Sequence, residues 1–557
     1  MKSFYRLLGT TAFASLLFAG PLSSDTYGAG GGNPPGFSNA SENAFSNADA
    51  PLNVQHIARY TSGAAFDEAG TEIVKYNYRN GYAYSVNGAE SALDIIDIAG
   101  QQDGNIELVR RIGLDTLGIP AGDITSVAVH PKGKYIAVSV PAEDLTEPGH
   151  VIFMDENGIY MNDLTVGSLP DMLTFTTDGR QLLVANEGEP SDDYQTNPEG
   201  SISIIDITGN PKNLDESRVA TLPFTEDHVP QDVRIVGPDP KTDHLNMEPE
   251  FITVDGNDRF AYVSLQESNA IAKVDMQNKE ISAVKSMGYK DHSKERNAMD
   301  PSDRDDRMGL RQVPVLGLYQ PDGITSFEKD GETYILTANE GDAQDYDGYS
   351  EEARVADLQG AIELDAENYG GYTQEGLDEM MSGDLFSDEN LGRLTVTKQH
   401  DYKDGSTHEA IVSFGGRSFS VLKGSDLSQI YDSGNEFESI ILDQVPERFN
   451  GDFESAESFI KDDRSDNKGP EPESVEVGEV GGKTYAFIGL ERTGGIMVYD
   501  VTDPAAPVHV QYIHDESNTD ISPEGIEFIS SQDSPTGRAM LMVANELSGT
   551  ISTYSLQ

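Results

Sequence analysis

The chain has 557 residues, no cysteine, and 38 basic against 96 acidic side chains, a formal net charge of −58. Disulfides, thiolate metal sites, cysteine nucleophiles and a cysteine lipid anchor are excluded, and nucleic acid and anionic membrane surfaces are repelled rather than bound. Such an excess of acid suits either a solvated, salt-adapted surface or a protein that meets many divalent cations, which screen its self-repulsion.

The first elements concern targeting. Lys2 and Arg6 precede an apolar run from Leu7 to Ala19, and small residues follow up to Gly28 and Ala29, the pattern of an export signal over 1–29. The run is about a dozen residues long, too short to span a bilayer. Residues 30–50, rich in Gly, Asn, Ser and Pro, read as a flexible leader. No later segment could cross a membrane and no anchor follows the last strand pattern. A secreted monomer, extracellular or periplasmic, is expected.

From 51 to 557 one unit recurs. A Pro-acid turn opens an alternating strand; a second apolar strand ends near Asn-Glu; a third ends in Asp. Pro170-Asp171 begins MLTFTTDGRQLLVANEG, and the unit returns at Pro249-Glu250, Pro321-Asp322, Pro472-Glu473 and Pro523-Glu524. Weaker copies occupy Glu72–Ile98 and Asp123–Asp155. Segments such as Glu280–Ser286 and Val508–Ile513 supply a fourth strand. Period-two alternation between Gly, Asp and Asn turns marks antiparallel strands, and four-stranded units in line are the mark of propeller blades. The expected fold is all-β: a seven-bladed β-propeller whose fifth blade is split, its third strand resuming at Arg417–Leu422. The N-terminal stretch Val54–Tyr60 would complete the last blade and close the ring, removing exposed edges. Stacked sandwiches or a solenoid are the alternatives. Four acidic insertions, about 209–247, 287–319, 343–410 and 435–470, show little strand pattern, with helix expected in Ser350–Ala366 and Gln374–Met381. Long loops of this kind are usually functional.

In a propeller, acids before the first strand of each blade reach the channel mouth. Asp171, Glu250, Asp322, Glu473 and Glu524 would form a carboxylate ring, with Glu187, Glu267, Glu340, Glu491 and Glu546 near the same face or packed between blades. Crowded carboxylates raise each other's pKa unless cations or arginines neutralise them; the alternative is a repeat-specific turn in which each acid caps backbone amides. Three loops have the oxygen spacing that calcium takes. They are Glu340-Gly-Asp342 through Asp345 and Asp347, the run around Asp303 and Asp305, and Glu187-Gly-Glu189 through Asp193. The metal candidates are Glu187, Asp303, Asp305, Glu340, Asp342, Asp345 and Asp347; calcium is the expected ion, and another divalent metal is the alternative. His228, His244 and His292 lack metalloprotease spacing and read as free surface histidines. Arg417, Lys468, Arg464 and Arg354 either hold insertions down through salt bridges or share an anion with bound cations.

ANEGDAQDYDGYSEEARV, SFGGRSFS, DNKGPEPE and QPDGI resemble the secreted bacterial choice-of-anchor I proteins. That family includes the mesenchyme-specific cell-surface glycoproteins of animals, associated with calcified skeleton, and some bacterial members are called atypical alkaline phosphatases. The similarity runs from about Leu52 to Gln557. It implies an extracellular propeller, calcium dependence and phosphomonoester hydrolysis, and carries over to Glu340, Asp342, Asp345, Asp347, Arg354, Arg417, Lys468, Glu471 and Glu473. No C-terminal anchor is expected from the sequence, a departure from many members. Two readings stand. A calcium-dependent phosphatase would act on a small phosphoester, with Arg417 and Lys468 offsetting charge, Glu473 as general base and Asp322 at the site. A non-catalytic calcium-binding protein would associate with extracellular matrix or mineral.

Overall fold

The chain divides into two units, Met1–Asn33 and Pro34–Gln557. The computed structural model describes residues 52–557, apart from 101–103, 105, 119–121 and 240–241, together with the strand Phe37–Asn39. The export signal and the rest of the leader lie outside the described residues.

Among the described residues the protein is all-β, with its α-helices confined to insertions. Seven antiparallel sheets follow one another along the chain, each with its strands in sequence order: I over 74–113, II over 126–168, III over 170–223, IV over 249–286, V over 324–432, VI over 472–515 and VII over 523–556. The repeat explains each sheet locally. In sheet III, Pro170–Phe175 and Gln181–Asn186 are joined by a tight turn at Asp178 and Gly179. Gly179 takes a φ of +71° there, which glycine adopts without strain. Alternate residues such as Leu183, Ala185, Ile202 and Ile204 then face sheet IV, packing against Ile252, Val263 and Val274.

The first strand of each sheet lies against the first strand of the next, and that of sheet VII lies against that of sheet I. Buried apolar clusters fill the spaces between sheets, for instance Leu336, Phe419 and Val421 against Ile488 and Tyr499, and Val74 and Ala83 against Met540 and Met542. Fully burying one such side chain contributes roughly 1.5–3 kcal/mol. All seven first strands line one cavity of about 270 Å³, from Val74 and Ser126 to Ser474 and Ile526.

The outer strand of sheet VII is Val54–Thr61, paired antiparallel with Thr550–Leu556 from Val54 opposite Leu556 to Thr61 opposite Thr550. Phe37–Asn39, inside the segment expected to be a flexible leader, adds a fifth strand to sheet VI against Val508–Asp515. An open sheet edge accepts any main chain, so side-chain patterning gave no sign of it. In sheet V the third strand is Ser418–Lys423.

The insertions are more ordered than their composition suggests. Tyr289–Asp291 and Val315–Leu318 from one insertion join Glu352–Arg354 and Thr395–Thr397 from another, with Ile411–Ser413 beyond it, in an additional five-stranded sheet. Val315, Leu318, Val355, Leu377 and Leu391 form its core. These strands have three or four residues each, too few for periodicity to register. Gln374–Ser382 is helical as expected; over 350–366 helix is limited to Val355–Leu358 and two short 3₁₀ turns, and Glu436–Gln444 is an additional helix. His292 is buried, its Nδ1 2.7 Å from the Asn297 carbonyl oxygen, contrary to its expected place on the surface.

Truncating the chain before Ala65 should uncover the Thr550–Leu556 edge. Self-association in size-exclusion chromatography and a broadened thermal transition are the expected outcomes; an unchanged monomer would show that the pairing adds little.

Candidate metal centre

A repeated backbone device places the acids. The residue before the Pro-acid pair has positive φ in four sheets: +45° at Leu169, +47° at Gln320, +51° at Glu471 and +65° at Ser522. Residues with a Cβ seldom adopt this conformation. In three sheets the carbonyl of that residue accepts the backbone N–H of the acid ending the second strand. Glu187 donates to Leu169 at 2.9 Å, Glu491 to Glu471 at 2.8 Å and Glu546 to Ser522 at 2.8 Å. The pairing register then shifts between Pro170 and Leu173, Pro249 and Ile252, Pro472 and Val475, and Pro523 and Ile526. A bulge re-aims the side chain it carries, and here that side chain is the acid. The Asn of the Asn-Glu motif is structural: buried Asn339 Nδ2 donates to Ser418 Oγ at 3.2 Å and Ser420 Oγ at 2.9 Å, joining strand two to strand three.

Three groups result, each with carboxylate oxygens within 4.8 Å of one another: Glu72, Glu524 and Glu546; Asp171, Glu187 and Glu250; and Glu340, Glu471 and Glu491. Glu72 had no place in the sequence-derived ring because Thr71 stands where proline stands elsewhere. The available signal was an acid two residues before an inner strand, Val74–Asn77. Asp123, ahead of Ser126–Val129, was missed for the same reason.

The groups differ in compensation. Around Glu340, Glu471 and Glu491 the chain supplies its own bases. Lys468 Nζ lies 2.7 Å from Glu340 Oε1 and 3.3 Å from Glu471 Oε2, Arg464 Nε 2.6 Å from Glu471 Oε1, and Arg492 Nη2 3.0 Å from Glu491 Oε1. Burial alone would raise Glu471, but Arg464, Lys468 and Arg492 hold it below the usual carboxylate range. Burial nonetheless raises Glu340 and Glu491 in this group, and elsewhere the shifts also go up. Burial, then Glu546 and Glu72, push Glu524 well above its ordinary value; burial, then Glu491 and Glu524, do so for Glu473, and burial, then Glu340, for Asp322. Burial with Glu189 nearby brings Asp171 to about 7. One oxygen each of Asp171, Glu473 and Glu524 is buried with no hydrogen-bond partner among the described residues. Buried acids with unmatched oxygens and no sulfur or imidazole in the groups fit a hard divalent cation.

Of the sequence-derived metal candidates, Glu187 and Glu340 fall in these groups. The other five belong to no such group among the described residues. Asp303 is bound by Arg393 at 2.9 Å and Arg304 at 3.2 Å, and Asp305 lies 4.0 Å from Arg311. Asp342 and Asp345 act electrostatically on Glu352, and Asp347 is exposed in a hairpin turn whose Gly348 N–H donates to the Asp192 carbonyl at 2.7 Å. Among the candidate catalytic residues, Lys468, Glu473 and Asp322 stand together with Glu340. Arg417 is 2% exposed and engaged by protein. Nη1 donates to the Asp300 carbonyl at 2.8 Å and to Glu438 at 2.9 Å, and Nη2 donates to the Ser465 and Asn467 carbonyls, each at 2.8 Å. It clamps two insertions, the structural role weighed for it from sequence. Arg354 likewise binds Asp466 at 3.1 Å.

The choice-of-anchor I domain matches residues 72–504. This chain belongs to the choice-of-anchor I family. Gigasin-3a of Magallana gigas is 32% identical over 187 residues, covering 30% of the chain and 66% of that protein. The mesenchyme-specific cell surface glycoprotein of Strongylocentrotus purpuratus is 26% identical over 344 residues, covering 57% of the chain and 42% of that protein. The chain thus spans less than two thirds of either relative. Among solved structures, hydrazine synthase of Kuenenia stuttgartiensis aligns with a TM-score of 0.45 at 11% identity over 89% of this chain and 98% of that one. The Cps50 (Swd1) β-propeller domain of Myceliophteria thermophila aligns with a TM-score of 0.40 at 10% identity over 91% of this chain and all of that one. No helix among the described residues is long and apolar enough to cross a membrane.

The raised acids set the sign of the pH dependence without metal. Asp123 is lifted to about 6 by burial, Asp171 to about 7, and Asp300 to about 7 by burial with Asp462 and Glu438 adding to it. The folded chain keeps these protons where the unfolded chain has released them, so stability falls as pH rises through this range. In chelator the melting temperature should increase on going from about pH 8 to about pH 5.5; a decrease would contradict the assignment.

Proposed function

We propose that this chain is an extracellular or cell-surface seven-bladed β-propeller, its ring closed by Val54–Thr61, that binds calcium through carboxylates at one end of its central channel and acts by binding rather than catalysis. The observation that supports it is the convergence of buried acids from successive sheets, with buried oxygens of Asp171 and Glu524 that have no hydrogen-bond partner among the described residues. Calcium takes six to eight oxygens in adaptable geometry, which carboxylates from separate sheets can share with water. The printed name of the sea urchin relative, a cell surface glycoprotein, supports the location. An association with extracellular matrix or mineral follows from the same acidic surface. Chelator-treated protein should take up calcium in isothermal titration at millimolar concentration or below and gain thermal stability with it. No heat of binding and no shift in melting would remove this reading.

One observation favours phosphomonoester hydrolysis as a second reading: Lys468 is bonded to Glu340, whose charge helps raise the carboxyls of Asp322 and Glu473, a cation and proton carriers around one acid. A phosphoryl oxygen could there be polarised by a bound cation while Glu473 handles the proton of water. Hydrolysis of an aryl phosphate at alkaline pH should then require calcium and fall at least about tenfold in Lys468→Ala and Glu473→Gln. Activity indifferent to chelation and to both changes would exclude it.

A further inference from the structure

The three carboxylate groups are not equivalent, and one with no bonded base among the described residues sits between the first and last sheets of the chain. Glu72 leads into sheet I, Glu524 lies in the bulge of sheet VII and Glu546 follows the second strand of sheet VII. Their oxygens approach within 4.8 Å. Glu524 is 8% exposed, and its Oε2 has no hydrogen-bond partner among the described residues. Glu546 Oε2 accepts from Ser522 Oγ at 3.4 Å. The field of Arg492 reaches Glu546, but its guanidinium is bonded to Glu491 at 3.0 Å.

The backbone presses these acids together. Thr71 Oγ1 donates to the carbonyls of Asn545 at 3.1 Å and Thr550 at 2.9 Å, docking the approach to sheet I onto sheet VII. A Cβ on Gly525 would sit 2.3 Å from the Glu72 carbonyl oxygen, so only glycine allows the two sheets this contact. Close packing of like charges around an unmatched buried oxygen needs a counter-charge, and none of the bases that serve Glu340 and Glu471 is bonded here.

We propose that Glu72, Glu524 and Glu546 form a calcium site that ties the last sheet of the chain to the first. The inference rests on the calcium-binding reading above and adds a location and a role: the ion stabilises the seam where the two ends of the repeat meet. The ligands are all carboxylate oxygens, which favours calcium or another hard cation over zinc or copper.

The test uses the full chain, chelator-treated, as wild type and as Glu524→Gln and Glu72→Gln. Calcium titration gives stoichiometry and affinity; hydrogen exchange reports the segments 71–77 and 550–556. Wild type should gain protection in both segments with calcium. Each variant should bind one ion fewer, or that ion at least tenfold more weakly, and lose the gain in protection. Without calcium the variants should melt at or above the wild-type temperature, because glutamine removes a repelling charge; a merely structural glutamate would give the opposite shift. Having two variants guards against one failing to fold. Wild-type stoichiometry, affinity and protection in both variants would overturn the seam site while leaving calcium binding intact. No calcium uptake by wild type would remove both.

Discussion

A carboxylate away from water resists ionisation, and one beside others resists it more. This protein repeatedly builds that situation at the inner ends of its sheets. A left-handed residue before each of four Pro-acid pairs is a local strain kept for placement. In three of these sheets a bulge follows, and the acid of strand one lies near the acid of strand two. Everything distinctive about the candidate site follows from accommodating the resulting repulsion.

The molecule shows two accommodations. At Glu340, Glu471 and Glu491 the counter-charge comes from the chain's own side chains, Arg464 and Lys468 on an insertion and Arg492 at a strand end. Arg417 contributes indirectly: holding the carbonyls of Ser465 and Asn467 fixes the segment that delivers Lys468. At Glu72, Glu524 and Glu546 no base among the described residues is bonded, and burial with repulsion from neighbouring acids raises all three carboxyls. One sheet design thus carries an internal ion-pair network at one group and leaves another with no bonded base among the described residues.

The insertions serve the same scaffold. Buried Arg234 pairs with Glu351 and also donates to Thr397 Oγ1 and to the Glu267 carbonyl, linking the first insertion to the third and to the end of a strand in sheet IV. Their five-stranded sheet has its own apolar core, so segments that look like acidic loops are supports with fixed geometry. That fixes which acids stand at the channel and which, like Asp303, are held by arginines elsewhere.

Sequence alone determined the strand repeat, because period-two alternation between Gly, Asp and Asn turns is a local property of the pleated chain. It also placed the Pro-acid residues on one face, because they recur at one position of the repeat, and left the Asn-Glu acids either there or between sheets. It could not tell Asn339 from Glu340 in role, since one bonds to the neighbouring strand and the other does not. It missed Glu72, whose partners lie more than four hundred residues away, and the short strands of the insertions, which exist only through pairing with one another. Above all, the distribution of bases among the carboxylates was decided by tertiary structure. Whether a charge is neutralised depends on distances of a few ångströms between segments remote in the chain, and no local pattern encodes them.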